Sequence, residues 1–268
     1  MTRRLTAFLS AALLAAPAYA DDAIGVPAVL ELLPGWRADG GHHMAALRIV
    51  LADGWKTYWR APGEAGIPPM FDWAGSDNLA EVRFHWPVPE VMHTNGMTTL
   101  VYSDEVVIPM EVIPVDAAAP VGLVAEVHMG VCQEICVPFD AAFTGALAAG
   151  GEADARITHA IARQPDSAAE AGLTAARCAV APIADGVTVT ASLTLPALGA
   201  DEHVVIEPAD PSTWASEAIV LREGGVLTAS VDLVPAEAKP FDLDTQSLRL
   251  TVLAEGRAVD IQGCDPAP

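Results

Sequence analysis

The chain has 268 residues, of which 52% are hydrophobic, and a formal charge of −21 from 14 Lys and Arg against 35 Asp and Glu. The apolar content supplies a core and excludes a disordered chain, while the acidity leaves no basic patch for a phosphate backbone and so excludes nucleic-acid binding. The length allows two ordinary domains or one large β domain, and 21 Pro, 21 Gly and abundant Val and Thr predict many short strands joined by turns.

Residues 1–20 read as a cleaved signal peptide. Arg3 and Arg4 form the positive start, Leu5 to Ala16 the apolar run, and Ala18-Tyr19-Ala20 the small-residue cleavage site. The apolar run is short for a membrane span. The mature chain is expected to begin near Asp21, to stay out of the membrane, and to reside in an oxidising compartment, the periplasm, where disulfides persist. The remaining acidity is spread through loops and reads as a solvated, self-repelling surface, with a cationic or copper-bearing partner as the alternative.

Val29 to Leu33 and Met44 to Leu51 read as strands around the turn Ala38 to Gly41. Gly54 to Trp73 (GWKTYWRAPGEAGIPPMFDW) is so dense in aromatics, Pro and Gly that it predicts a loop, lying over a sheet edge as a hydrophobic lid or beside a site. Val82 to Trp86 alternates like a strand that Pro87 and Pro89 end, and Asn95-Gly96 marks a tight turn. Leu100 to Tyr102 and Glu105 to Ile113 follow as strands, Pro109 placing the second at an edge or bulge. Val121 to Met129 leads into a turn, GVCQEICVP, and Val137 to Leu147 leads out.

Ala155 to Arg163 has helical spacing, with Ile157 and Ile161 four apart and Pro165 as the stop. Seven candidate strands then occupy Ala176 to Pro182, Val187 to Leu195, His203 to Glu207, Ala218 to Arg222, Val226 to Val234, Leu248 to Ala254 and Arg257 to Ile261. Turns sit at Ala184-Asp185-Gly186, Glu223-Gly224-Gly225 and Glu255-Gly256. The reading is all-β: two immunoglobulin-like sandwiches, residues 21–149 and 176–268, joined by a short helical linker at 150–175.

Four cysteines allow three full pairings. The economical one joins Cys132 to Cys136 and Cys178 to Cys264. The second bond ties the ends of the second sandwich and reads as structural, because closing a long loop removes much unfolded-state entropy. The first closes a ring too small to stabilise much by that route. Cys132 and Cys136 therefore stand open to three readings: a redox pair, a structural staple, or a metal site.

GVCQEICVP, preceded by GWKTYWRAPGEAGIPPMFDW, by WPVPE at Trp86 to Glu90 and by YSDEVVIPMEV at Tyr102 to Val112, resembles the periplasmic N-terminal domain of DsbD-type thiol:disulfide interchange proteins, the ScsB-like branch linked to copper tolerance in particular. The resemblance is strongest over Val29 to Leu147. It implies an immunoglobulin-like fold and a protein-disulfide reductase type of chemistry in which Cys132 and Cys136 relay electrons. The donor would be a thioredoxin-like protein or a membrane thiol transducer, and the acceptors oxidised periplasmic proteins. By the family pattern Cys136 is the attacking thiolate, Cys132 the resolving one, and Met92 to Tyr102 the stretch of the shielding cap loop. Family members continue into a membrane transducer and a thioredoxin-like domain. Neither lies within these 268 residues, so the resemblance implies a module fed by a separate partner, with no cofactor beyond the disulfide.

The residues themselves keep two alternatives in view. Cys132 and Cys136 with His128 and Met129 form a donor set suited to Cu(I), and His42, His43, Met44, Met92, His93 and Met97 add scattered His and Met. His128 and Met129 alternate faces on a strand, so at most one points at the sulfurs. The other alternative is an adaptor module with two inert disulfides. Glu64, Asp72 and Asp104 read as solvated loop carboxylates. No Lys or Arg lies within the cysteine turn, while Glu134 disfavours a thiolate there.

Overall fold

A computed structural model describes residues 26–94 and 96–267; the signal-peptide segment lies outside them. The first half of the chain supplies β1 (Ala28–Arg37), β2 (His43–Leu51), β3 (Lys56–Gly63), β4 (Met70–Asp72), β5 (Leu79–Phe84), β6 (Glu90–Thr94), β7 (Met97–Ser103), β8 (Glu105–Pro114), β9 (Val121–Cys132) and β10 (Cys136–Leu147). Helix α1 (Ala155–Ile161) and a short strand, β11 (Asp166–Ser167), form the connection. The second half holds β12 (Ala175–Pro182), β13 (Val187–Thr194), β14 (His203–Glu207), β15 (Trp214–Ala215), β16 (Ile219–Glu223), β17 (Val226–Val234), β18 (Arg249–Ala254), β19 (Arg257–Gln262) and β20 (Asp265–Pro266). No helix among the described residues is long and apolar enough to cross a membrane.

These strands make two β-sandwiches. In the first, a sheet ordered β1-β2-β8-β5 faces one ordered β10-β9-β3-β7-β6, with β4 added on β9. In the second, β11-β19-β18-β14 faces β15-β17-β13-β12-β20, with β16 on β17. Period-two alternation explains the layering. On β9, Val121, Leu123, Ala125, Val127 and Met129 are 0–2% exposed, while Val124, Glu126 and His128 between them face solvent.

The aromatic stretch corrects the loop expectation. Lys56–Gly63 is a strand in the middle of a sheet, held by β7 and β9. Trp59 is fully buried in the first core. Phe71, on β4, and Trp73 turn inward and meet Phe84, Trp86 and Phe143, with Phe71 and Phe84 ring centroids 4.4 Å apart. High aromatic content here marks core, not lid: large rings contribute most to burial where two sheets meet. Glycine and proline obscured the strand because they cluster after Tyr58, where the β3–β7 register shifts.

Pro109 likewise departs from expectation, since β8 lies between β2 and β5 and is not an edge. Its carbonyl accepts from His85 N–H, just past the last ladder residue of β5, Phe84. The absent N–H of Pro109 points to that same side, where the ladder has already ended. No bulge is needed.

The linker helix begins at Asp154, whose carboxylate accepts from the Arg156 N–H. It is docked rather than free: Ile157 is fully buried against Leu33 and Ala46, with Trp36, Met44 and Ile161 around them.

The sheet built from β14, β18 and β19 is buried on both faces. Val204, Ile206, Leu250 and Val252 enter the second core, while Leu253 and Ala258, with Val205 against them, enter the first. Across this seam the Arg60 guanidinium donates to the Glu207 carboxylate at 2.8 and 3.1 Å and to Thr251 Oγ1 at 3.0 Å. It also lies 3.7 Å over the Trp59 ring. Burial lowers the Arg60 pKa, and Glu207 offsets part of that. Removing Glu207 leaves a desolvated cation, so Glu207→Ala is expected to cost about 3 kcal/mol in urea unfolding; a loss under about 0.5 kcal/mol would show the pair to be solvated.

His43, 1% exposed, donates from Nε2 to the Pro34 carbonyl. Burial lowers its pKa, the Pro34 bond opposes that, and Arg37 adds to it. The folded chain thus refuses a proton that the unfolded chain accepts below roughly pH 6.5. The His43 contribution to stability is complete above that pH and is lost as pH falls. Urea midpoints at pH 7.5 and 5.5 should differ less in His43→Gln than in the parent; an equal drop in both would remove His43 from the acid response.

Candidate functional site

The β9–β10 hairpin carries the cysteines. Its strands pair without a break from Val121↔Leu147 to Cys132↔Cys136, and Gln133, Glu134 and Ile135 connect them at the exposed tip. Residues that end the ladder opposite each other present their side chains on one face, which brings the two sulfurs together. A disulfide joins Cys132 to Cys136, and a second joins Cys178 to Cys264 across 86 positions.

The two bonds sit in different surroundings. Cys178 and Cys264 are each 2% exposed within the second core. In the hairpin, Cys132 is 4% exposed while Cys136 faces solvent. One sulfur of that pair reaches solvent and the other is buried.

Cys132 belongs to a small cluster on the outer face of its sheet, with Tyr58 and Val101 buried beside it and Ile67 and Met92 packed against them. The Tyr58 hydroxyl lies 2.7 Å from Cys132 Sγ and 3.0 Å from Cys136 Sγ, and, since disulfide sulfurs carry no hydrogen, its single O–H is the donor shared between them. Burial raises the Tyr58 pKa, so the hydroxyl stays a donor. Close approach depends on two glycines. A Cβ on Gly130 would lie 2.7 Å from Ile67 Cβ and 2.9 Å from the Tyr58 ring, and one on Gly66 would lie 2.2 Å from Pro62 Cβ. The segment after β3 thereby folds back over the Tyr58 ring.

Lys56 is the residue that a search confined to the turn overlooks. It pairs in register with Cys132, so its side chain leaves the sheet on the same face, and its ammonium lies 3.1 Å from Met92 Sδ. The turn itself holds no Lys or Arg, as its sequence shows, and Lys56 arrives from another strand. Across the sheet, Lys56 stands in register with Cys132 on the same face. Neither Lys56 nor Tyr58 has a local sequence signal; their strand register alone reveals them.

The copper set does not converge. His128 shares the outer face with Cys132 but lies four residues, about 13 Å, down the strand, with Nδ1 2.7 Å from Asp140 Oδ1. Asp140 raises its pKa through that bond. Met129 points the other way, 2% exposed in the core. His42 and His85 flank Glu111 at 3.6 Å each, His43 is buried, and Met44 packs beside the helix. Met92 is the one scattered methionine that joins the sulfur cluster. Glu64, Asp72 and Asp104 are exposed.

Residues 30–148 match the family described as thiol:disulfide interchange protein DsbD, N-terminal. Among solved structures, the N-terminal periplasmic domain of ScsB from Proteus mirabilis is similar over 89% of this chain and 92% of its own, at 23% identity and a TM-score of 0.62. The N-terminal domain of Neisseria meningitidis DsbD in its reduced form aligns with 44% of this chain and 83% of its own, at 22% identity, with a TM-score of 0.26 that is too low to inform the fold. A comparison with curated proteins gives no match. The first sandwich, with its cysteine hairpin, thus matches the DsbD N-terminal family over residues 30–148, and the two-sandwich fold as a whole is similar to that of the ScsB domain.

Proposed function

We propose that the chain is an exported, periplasmic thiol:disulfide interchange module that passes electrons from a thioredoxin-like or membrane dithiol donor to oxidised exported proteins. The unequal exposure of Cys136 and Cys132 beneath a shared Tyr58 donor carries this reading. In the reduced protein the Cys136 thiolate attacks a substrate disulfide. A mixed disulfide forms and one substrate sulfur leaves as a thiolate, which takes a proton from solvent. The Cys132 thiolate then attacks Cys136 Sγ, restoring the Cys132–Cys136 bond and releasing the second substrate thiolate to be protonated. Two electrons and two protons reach the substrate, and a dithiol donor reverses the sequence on the protein.

The side chains around the pair have distinct parts in this scheme. Tyr58 O–H and the Lys56 ammonium favour thiolate over thiol. Burial of Cys132 leaves Cys136 as the sulfur a partner can reach in line. Mild dithiothreitol should reduce Cys132–Cys136 and leave Cys178–Cys264 intact, read by alkylation and mass spectrometry. Both bonds resisting, or both yielding together, would sink the redox assignment.

Tyr58→Phe removes a hydrogen bond to an anionic sulfur, a loss of about 1.5–3 kcal/mol. The variant is expected to form mixed disulfides about 10-fold or more slowly at neutral pH, with the deficit shrinking as alkaline pH supplies thiolate directly. A uniform deficit at every pH would mean that Tyr58 only packs.

A further inference from the structure

The β6–β7 hairpin contributes Met92 to the sulfur cluster, yet its own sheet holds it weakly. Strand β6 is an edge that pairs only with β7. Strand β7 leaves the regular ladder with β3 beyond Tyr58↔Val101 and regains it only at Gly63↔Thr99. What grips the hairpin near its tip comes from the other sandwich. Thr98, 5% exposed, donates its hydroxyl to the carboxylate of Glu217, in the segment between β15 and β16. The same Thr98 oxygen lies 3.1 Å from His93 Nδ1, which donates to it. Burial lowers the pKa of His203 on β14, with Glu217 opposing that shift.

We infer that Glu217 is a positioning residue of the redox site, acting through Thr98 to hold the β6–β7 hairpin against the cysteine cluster and so limit thiol access to the disulfide. This rests on the interchange function proposed above. Residues alternate faces along the hairpin. Thr98 and His93 face the second sandwich, while Met92 and Thr99 share the face of Tyr58 and Cys132. Fixing the first pair therefore fixes the second. Without the carboxylate, buried Thr98 loses its acceptor, and the hairpin keeps only its ladder to β3 and the Met92 contacts with Lys56 and the sulfur cluster.

The test compares the full chain with Glu217→Ala, Glu217→Gln and Thr98→Val, measuring the rate at which dithiothreitol reduces Cys132–Cys136, alongside Tm. Glu217→Ala and Thr98→Val should each speed reduction about 10-fold, the loss expected for a hydrogen bond to a charged group. Glu217→Gln, which keeps an acceptor oxygen but loses the charge, should fall between the parent and Glu217→Ala. The Ala and Val changes together should do no more than either alone, because both break one contact. Unchanged reduction rates in both single variants overturn the inference even where Tm falls, and so does a fully additive double variant. A parent disulfide that resists dithiothreitol counts against the interchange function itself, which separates the two failures.

Discussion

Cys136→Ser is expected to abolish mixed-disulfide formation, whereas Cys132→Ser should accumulate it. Attack requires a sulfur that a partner disulfide can approach along its S–S axis, and only Cys136 is presented to solvent. Cys132, 4% exposed behind Tyr58, Val101 and Met92, meets Cys136 across the end of the hairpin but no large partner. Replacing Cys132 leaves the first exchange intact and removes the sulfur that resolves it. Incubating each reduced variant with an oxidised thioredoxin-like protein and running non-reducing gels reads the outcome directly. Equal trapping by the two variants would mean that exposure does not assign the roles, and trapping through Cys136→Ser alone would reverse them.

The second large effect concerns the other disulfide. Cys178–Cys264 closes a loop of 86 positions between the first long strand of the second sandwich and the segment after its last long strand. In the chain-entropy account this bond stabilises by about 4–5 kcal/mol, against about 2 kcal/mol for the ring closed by Cys132 and Cys136. Cys178→Ala with Cys264→Ala should therefore lower Tm by on the order of 20 °C, while the corresponding Cys132 and Cys136 pair of changes should shift it about half as much or less. Calorimetry on both double variants decides the matter. Similar losses from the two pairs would show that the hairpin bond is also a staple, and the division of labour between the disulfides would fall.

Much of the fold was legible in the sequence. All seven strands expected after residue 175 are present, because half-buried strands announce themselves by local alternation and their turns by Gly and Asp. The helix was legible from Ile157 and Ile161 with Pro165 beyond. Where local signals misled, packing was the reason. Trp59 belongs to a central strand although glycines and prolines crowd the residues after it, and Pro109 fits a central strand because its missing donor falls past the end of β5.

Sequence alone singled out the economical cysteine pairing, one close and one distant, and determined that the chain is mostly β around a short helical linker and too acidic for nucleic acid. Those are properties of composition, spacing and short-range period. Tertiary structure decided which sulfur faces solvent, and it set Lys56 and Tyr58 beside Cys132, a neighbour 74 residues from Tyr58. It also brought Glu217 onto a hairpin 119 residues away. Such contacts depend on strand register and on which sheet face packs against which, and neither is written in the local pattern of any one segment. The turn GVCQEICVP is thus a pair of sulfurs in the sequence, and a site only once β3, the β6–β7 hairpin and the second sandwich are folded around it.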